Sequence, residues 1–143
     1  MRRLILICAL TLAACGKAEE PKLPARAPDA AIDLRRPIDA TGLNPAWDLK
    51  IRGLQFTLDR PGQPQIVATA PGAAIQPGKA SWTATTAAGQ SLKVNLYSSA
   101  CSDGVSEVRY SYAAEVILPD GSLLAGCGAL AAPRAPPPGP ARR

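Results

Sequence analysis

Tyr110-Ser111-Tyr112-Ala113-Ala114-Glu115-Val116-Ile117-Leu118-Pro119-Asp120-Gly121-Ser122-Leu123-Leu124-Ala125-Gly126-Cys127 carries the strongest structural signal in the chain. Tyr110, Tyr112, Ala114, Val116 and Leu118 recur at every second position, which places them on one face of a strand because side chains alternate sides. Pro119-Asp120-Gly121-Ser122 is turn chemistry, and the chain returns through Leu123 to Cys127. The reading is an antiparallel hairpin. A two-residue turn at Asp120-Gly121 sets Cys127 opposite Ala114.

The same period spreads upstream from this hairpin. Trp47, Leu49 and Ile51 alternate with charged residues, and after Gly53 the pattern resumes as Leu54, Phe56 and Leu58. Turn signals at Arg60-Pro61-Gly62, Pro71-Gly72 and Pro77-Gly78 bracket a short run from Gln65 to Ala70. Ala80, Trp82 and Ala84 form a further strand, then Ala88-Gly89-Gln90 turns into Leu92, Val94 and Leu96. No segment carries a helical stripe. Six to seven short strands predict an all-β domain, a small antiparallel barrel or strongly curved sheet. About 85 residues bury only a modest core, so any cross-link matters to stability.

Composition marks the limits of that domain. All six aromatic residues, Trp47, Phe56, Trp82, Tyr97, Tyr110 and Tyr112, fall within 46–130, which is read as the β domain. Residues 15–45 hold Pro21, Pro24, Pro28, Pro37 and Pro45 with many alanines and no aromatic, the composition of a tether with too little apolar surface for a packed core. As a coil of about 30 residues such a tether spans roughly 30 Å, and as polyproline up to about 90 Å. Residues 131–143, with Pro133, Pro136, Pro137, Pro138 and Pro140, read as a Pro-rich disordered tail.

The N-terminus gives an address. Arg2 and Arg3, an apolar run from Leu4 to Leu12, and the small residues Ala13 and Ala14 match the three regions of an export signal. The run is far shorter than the roughly 20 residues a spanning helix needs. Leu12-Ala13-Ala14-Cys15 resembles the lipobox of bacterial lipoproteins. That resemblance implies a signal peptide over 1–14, diacylglycerol on the Cys15 thiol, cleavage before it, and acylation of the new N-terminus. The membrane lipid is then a partner through Cys15, and Gly16, where aspartate would mark inner-membrane retention, points to the periplasmic side of the outer membrane. Several acyl chains hold far more firmly than a single myristoyl group.

Cysteine arithmetic follows from this address. Cys8 leaves with the signal and Cys15 carries lipid, so Cys101 and Cys127 are the pair left in the mature body. An oxidising compartment permits their disulfide. A metal site lacks partners: the chain has no histidine, and two isolated cysteines do not match zinc spacing. No cofactor is implied.

Charge loses its apparent meaning once it is apportioned. The chain carries 16 basic and 11 acidic residues, a formal +5, but without Arg2 and Arg3 the mature form is +3. The domain is neutral, and the surplus is Arg134, Arg142 and Arg143. No basic patch interleaved with aromatics exists there, so no nucleic-acid partner is expected.

The most distinctive stretch is Cys101-Ser102-Asp103-Gly104-Val105-Ser106-Glu107-Val108-Arg109-Tyr110-Ser111-Tyr112, closing downstream at Gly126-Cys127. It resembles a C-terminal segment of uncharacterised Gram-negative envelope lipoproteins, found also in some proteins with the META or heat-shock lipoprotein domain. That segment runs Cys-x-Asp-Gly-Met-Ser-Asp-x-x-Tyr-Pro-Tyr, then a hairpin, then Gly-Cys. Val105, Glu107 and Ser111 depart from the pattern. The resemblance covers about a quarter of the chain and implies a disulfide-closed β module without an activity. Asp103-Gly104 suits an Asx turn, Arg109 has Asp103 and Glu107 as prospective ion-pair partners, and the rings of Tyr110 and Tyr112 belong on the core face. The functional alternative groups Asp103, Glu107 and Arg109 as a recognition patch beside Tyr97 or Trp82.

Enzymatic chemistry has little to work with. Without histidine there is no Ser-His-Asp or Cys-His arrangement, and oxidised Cys101 and Cys127 offer no thiolate. The expectation is a non-catalytic, lipid-anchored β domain that binds an envelope protein, glycan or small ligand. An inhibitor of lysozyme-type hydrolases is the alternative, since membrane-bound lysozyme inhibitors are also small disulfide-containing β-barrel lipoproteins, although their Ser-Gly-x-x-Tyr motif is absent. A small glycan hydrolase using Asp103 and Glu107, or Glu115 and Asp120, is the second alternative.

Overall fold

Alternation of apolar and polar residues produces strands where it was expected, and two further strands join them. A computed structural model describes residues 31–132; the expected export signal, Cys15 with the first part of the expected tether, and the Pro-rich stretch from residue 133 lie outside the described residues. The strands are β1 (Ile38–Leu43), β2 (Ala46–Arg52), β3 (Gln55–Asp59), β4 (Ile66–Thr69), β5 (Ala74–Gln76), β6 (Lys79–Thr86), β7 (Ser91–Cys101), β8 (Tyr110–Ile117) and β9 (Leu123–Leu130). They pair antiparallel in the order β4-β3-β2-β1-β9-β8-β7-β6-β5, and β4 also pairs with β6. That last pairing closes eight strands into a barrel, with β5 as a ninth on the remaining edge of β6.

The barrel is held by its inward face. Ile38, Ala40 and Gly42 of β1 lie opposite Ile51, Leu49 and Trp47 of β2, and Leu96, Val94 and Leu92 of β7 lie opposite Ala80, Trp82 and Ala84 of β6. Eight strands enclose a space that side chains just fill. Trp47, Phe56, Ile38, Leu49, Leu58, Leu92, Leu96, Val94 and Val116 fill it, and no polar or charged residue among those described is buried with them. Each such side chain contributes about 1.5–3 kcal/mol of transfer free energy, so the packed interior is the main source of stability.

One corner depends on missing side chains. The Trp47 indole crosses β1 to donate from Nε1 to the Ala125 carbonyl of β9 at 3.3 Å. A Cβ on Gly42 would meet the Trp47 ring, its Cε2 at 2.6 Å, and one on Gly126 would lie 2.7 Å from Trp47 Cζ2 and against the Thr41 carbonyl. Two glycines therefore leave the room that one indole takes.

The chain joins the barrel earlier than its composition suggested. β1 and the segment 31–37 lie inside the stretch 15–45 that was assigned to the tether. Ile32 and Leu34 pack against the core, with Leu34 beside Ile38, Ile51 and Trp82. The inward side of β1 reads as weak strand because Ile38 is its one large apolar residue, followed by the small Ala40 and by Gly42, which makes room for the Trp47 indole. β5 is the other strand beyond those expected, three residues exposed throughout and so without an apolar face to mark it.

Antiparallel order sends successive connections to alternate rims. At one, here the terminal rim, the chain enters at Pro37 and leaves at Ala131, whose N–H donates to the Pro37 carbonyl at 2.8 Å. The same rim carries the turn at Gly53-Leu54, the connection from Ala70 to Gly78, and the loop 102–109. The far rim carries the turns at Asn44-Pro45, 60–65, 87–90 and 118–122.

Candidate functional site

The candidate site is the loop between β7 and β8, and its shape begins with a carboxylate. Asp103 Oδ1 accepts the N–H groups of Val105 at 3.0 Å and Ser106 at 2.8 Å. Its Oδ2 accepts the Ser106 hydroxyl at 2.6 Å and the Tyr110 hydroxyl at 3.4 Å. These donors, the Ser106 hydroxyl foremost, hold the carboxyl down at about 2, because each stabilises the charged form. Ser106 Oγ in turn accepts the Val108 N–H at 3.3 Å, and Ser102 Oγ accepts that of Gly104 at 3.2 Å. The Asx turn expected at Asp103-Gly104 is present, with Gly104 at φ 75°.

The disulfide fixes this turn to the wall. Cys101 and Cys127 are bonded, with their Cα atoms 5.6 Å apart. They belong to β7 and β9, which flank β8, and two inter-strand spacings amount to about 9.5 Å. The register shift between Ser98 and Cys101 turns the end of β7 toward β9 and closes that distance. Cys127 lies opposite Ala113, one residue from the expected Ala114, because the β8–β9 connection holds three residues, Pro119-Asp120-Gly121, between Leu118 and Ser122. Gly121 takes φ 85°, the left-handed residue that follows a type I turn in such three-residue hairpins. The slip pairs Cys127 with outward Ala113 instead of inward Ala114 and turns Gly126 and Gly128 inward, so the bridge sits on the outer wall.

The proposed patch assembles only in part. Glu107 and Arg109 are exposed and, with Ala100, Cys101, Ser102, Ser106 and Val108, line an open depression of about 530 Å³. The expected ion pair of Arg109 with Asp103 or Glu107 does not form: the ion pairs among the described residues are Lys50–Asp59 and Arg52–Asp39. Asp103 spends its oxygens on the turn instead. Trp82 is no part of a patch, being buried inside the barrel edge-on to Phe56 with ring centroids 5.6 Å apart. Tyr112 is buried as expected, but Tyr110 is only half-buried because its hydroxyl serves Asp103.

Tyr97 belongs to a separate outer-wall group that sequence reasoning missed. Its hydroxyl donates to Glu115 Oε2 at 2.7 Å, while Lys79 Nζ lies 5.1 Å from its ring centroid. The Glu115 hydrogen bond, then burial and the Glu115 charge, raise the phenol above its ordinary value. Asn95 donates to the same carboxylate at 3.4 Å. The register brings them together, Lys79 against Tyr97 and Asn95 against Glu115. Asp120, the other carboxyl of the second hydrolytic pair, sits in the far-rim turn and accepts the Ser122 N–H at 2.8 Å. Among the described residues no three His, Cys, Asp or Glu side chains converge as a metal site requires.

No family model matches the chain, and neither a curated protein nor a solved structure is significantly similar to it.

Proposed function

We propose that this protein is a lipid-anchored, non-catalytic binding module of the Gram-negative envelope, held through Cys15 on the periplasmic side of the outer membrane, with the disulfide-pinned loop as its contact surface. The observation that carries the reading is the contrast between interior and loop. The barrel is filled with apolar side chains, while the loop is braced by a bridge and an Asx turn and leaves Glu107 and Arg109 exposed over a depression. A carboxyl held at about 2, as Asp103 is, stays ionised at neutral pH and has no proton to donate as a general acid, and both its oxygens are already engaged by donors of its own loop.

Two experiments test the reading. Labelling with a palmitate analogue marks the wild-type chain and spares Cys15→Ala if the anchor is real; equal labelling of both overturns it. Photo-crosslinking from position 107 or 109 in intact cells recovers a specific envelope component if the loop is the contact surface, and recovery of none counts against it. Inhibition of lysozyme-type hydrolases is supported by the closed barrel with a disulfide-pinned loop. No inhibition of several lysozymes at micromolar protein eliminates it.

A further inference from the structure

Seven large apolar side chains are exposed among the described residues, and four of them, Leu54, Ile75, Val105 and Val108, lie at the terminal rim. Val105 is the most exposed at 82%, at the tip of the braced loop, and Val108 follows on its descending side. Neither is needed by the turn, whose hydrogen bonds use only their backbone N–H groups. Arg35, Arg36, Arg52 and Arg109 are exposed at this rim and Lys79 is half-buried there, against Asp33, Asp39, Asp103 and Glu107, so basic residues exceed acidic ones by one.

This rim is also where the anchor connects. Cys15 precedes Ala31 by sixteen residues, a length that reaches at most about 55 Å. Strands of seven or eight residues are about 25 Å long, and their tilt in a closed barrel makes the wall about 20 Å tall. Turning the far rim to the bilayer would require the connecting chain to run back along the whole wall. Presenting the terminal rim requires nothing of the kind.

We propose that the terminal rim lies against the lipid surface that holds the anchor, with Val105 and Val108 buried in the headgroup–acyl boundary and the rim's arginines among lipid phosphates. The inference names the partner of the loop and so rests on the reading of that loop as a contact surface. Apolar side chains seat about 5–10 Å into this boundary, where anionic lipid adds electrostatic attraction.

The test uses the mature chain from Cys15, its one thiol outside the disulfide, coupled to a maleimide phospholipid in vesicles of phosphatidylethanolamine, phosphatidylglycerol and brominated phosphatidylcholine. Coupling makes the result independent of natural acylation. Val105→Trp and Val108→Trp report from the loop, and Leu123→Trp, at a residue 57% exposed on the far rim, is the control. Emission is taken relative to wild type, whose Trp47 and Trp82 are buried, and near-ultraviolet dichroism verifies the fold of each variant. Bromolipid quenching at 105 and 108 is expected to exceed that at 123 by at least about threefold, given the shallow depth of the boundary. Equal quenching at the two rims, or none at 105 and 108, overturns the proposal. A blue shift at 105 without quenching, which means burial against another copy of the chain, overturns it too. A protein adduct from position 107 in cells together with no quenching at 105 would leave the binding module standing and remove only its lipid partner.

Discussion

Opening the Cys101–Cys127 bridge separates the entropy of a cross-link from the packing of its sulfurs. The two residues are 26 apart in sequence, and the chain-entropy relation gives a loss of about 3.5 kcal/mol when a loop of that length is released in the unfolded state. Cys127 is buried, so Cys101→Ala with Cys127→Ala adds about 1 kcal/mol for lost sulfur contacts. Small domains have about 5–15 kcal/mol in all, so the double variant stays folded at 25 °C with a much reduced margin. Urea titrations of oxidised wild type, reduced wild type and the double variant isolate the parts. The step from oxidised to reduced carries the cross-link, and the step from reduced to double variant carries the packing. The slope of free energy against urea must also rise on reduction, because an uncross-linked unfolded chain exposes more surface. Oxidised and reduced protein agreeing within about 0.5 kcal/mol would refute the entropic account, and a shifted midpoint with an unchanged slope would locate the stabilisation in the native state instead.

Gly126→Ala should cost at least about 2 kcal/mol by overpacking, since its Cβ meets the Thr41 carbonyl and the Trp47 ring; a denaturation midpoint within error of wild type contradicts the packing described for that corner. Asp103 has a depressed native carboxyl, so its contribution to loop order is present above about 4 and is lost as pH falls toward about 2. Amide exchange of Val105 and Ser106 measured down that range should show it, and Asp103→Ala, which removes both acceptor oxygens, should show fast exchange already at neutral pH. Glu115→Gln removes the charge beside Tyr97, so the phenol should titrate lower than in wild type; an ultraviolet phenolate titration that moves upward or not at all refutes the assigned cause.

Strand positions were legible wherever large apolar residues alternate with polar ones, as at Trp47-Leu49-Ile51 and Leu92-Val94-Leu96. Alternation fails as a signal where the inward residues are small. β1 carries little alternation because Gly42 is inward to suit an indole five residues later and a strand that follows more than eighty residues on. The hairpin register slipped by one because Pro119-Asp120-Gly121-Ser122 is compatible with two loop lengths, and the choice between them is made by the hydrogen bonds at Leu118. In the loop, Asp103-Gly104 announced its own turn because the bonds are local. Tyr97, Glu115 and Lys79 did not announce theirs, since partners 18 residues apart meet only once three strands are in register. Trp82 fits both an inward strand position and a surface patch by residue type alone, and the alternation it shares with Ala80 and Ala84 decides for the interior.

The hydrogen bond from Ala131 to Pro37 has a practical bearing on anyone who works with this protein. With both ends of the barrel chain leaving side by side, a reporter or affinity handle joined directly after Ala132 starts from the same rim as the braced loop, and crowds it. The turn at Ala87-Ala88-Gly89 opens on the opposite rim. A handle inserted there leaves the loop clear, and loss of a cellular phenotype in the terminal fusion but not in the insertion would map function to one rim before any partner is identified.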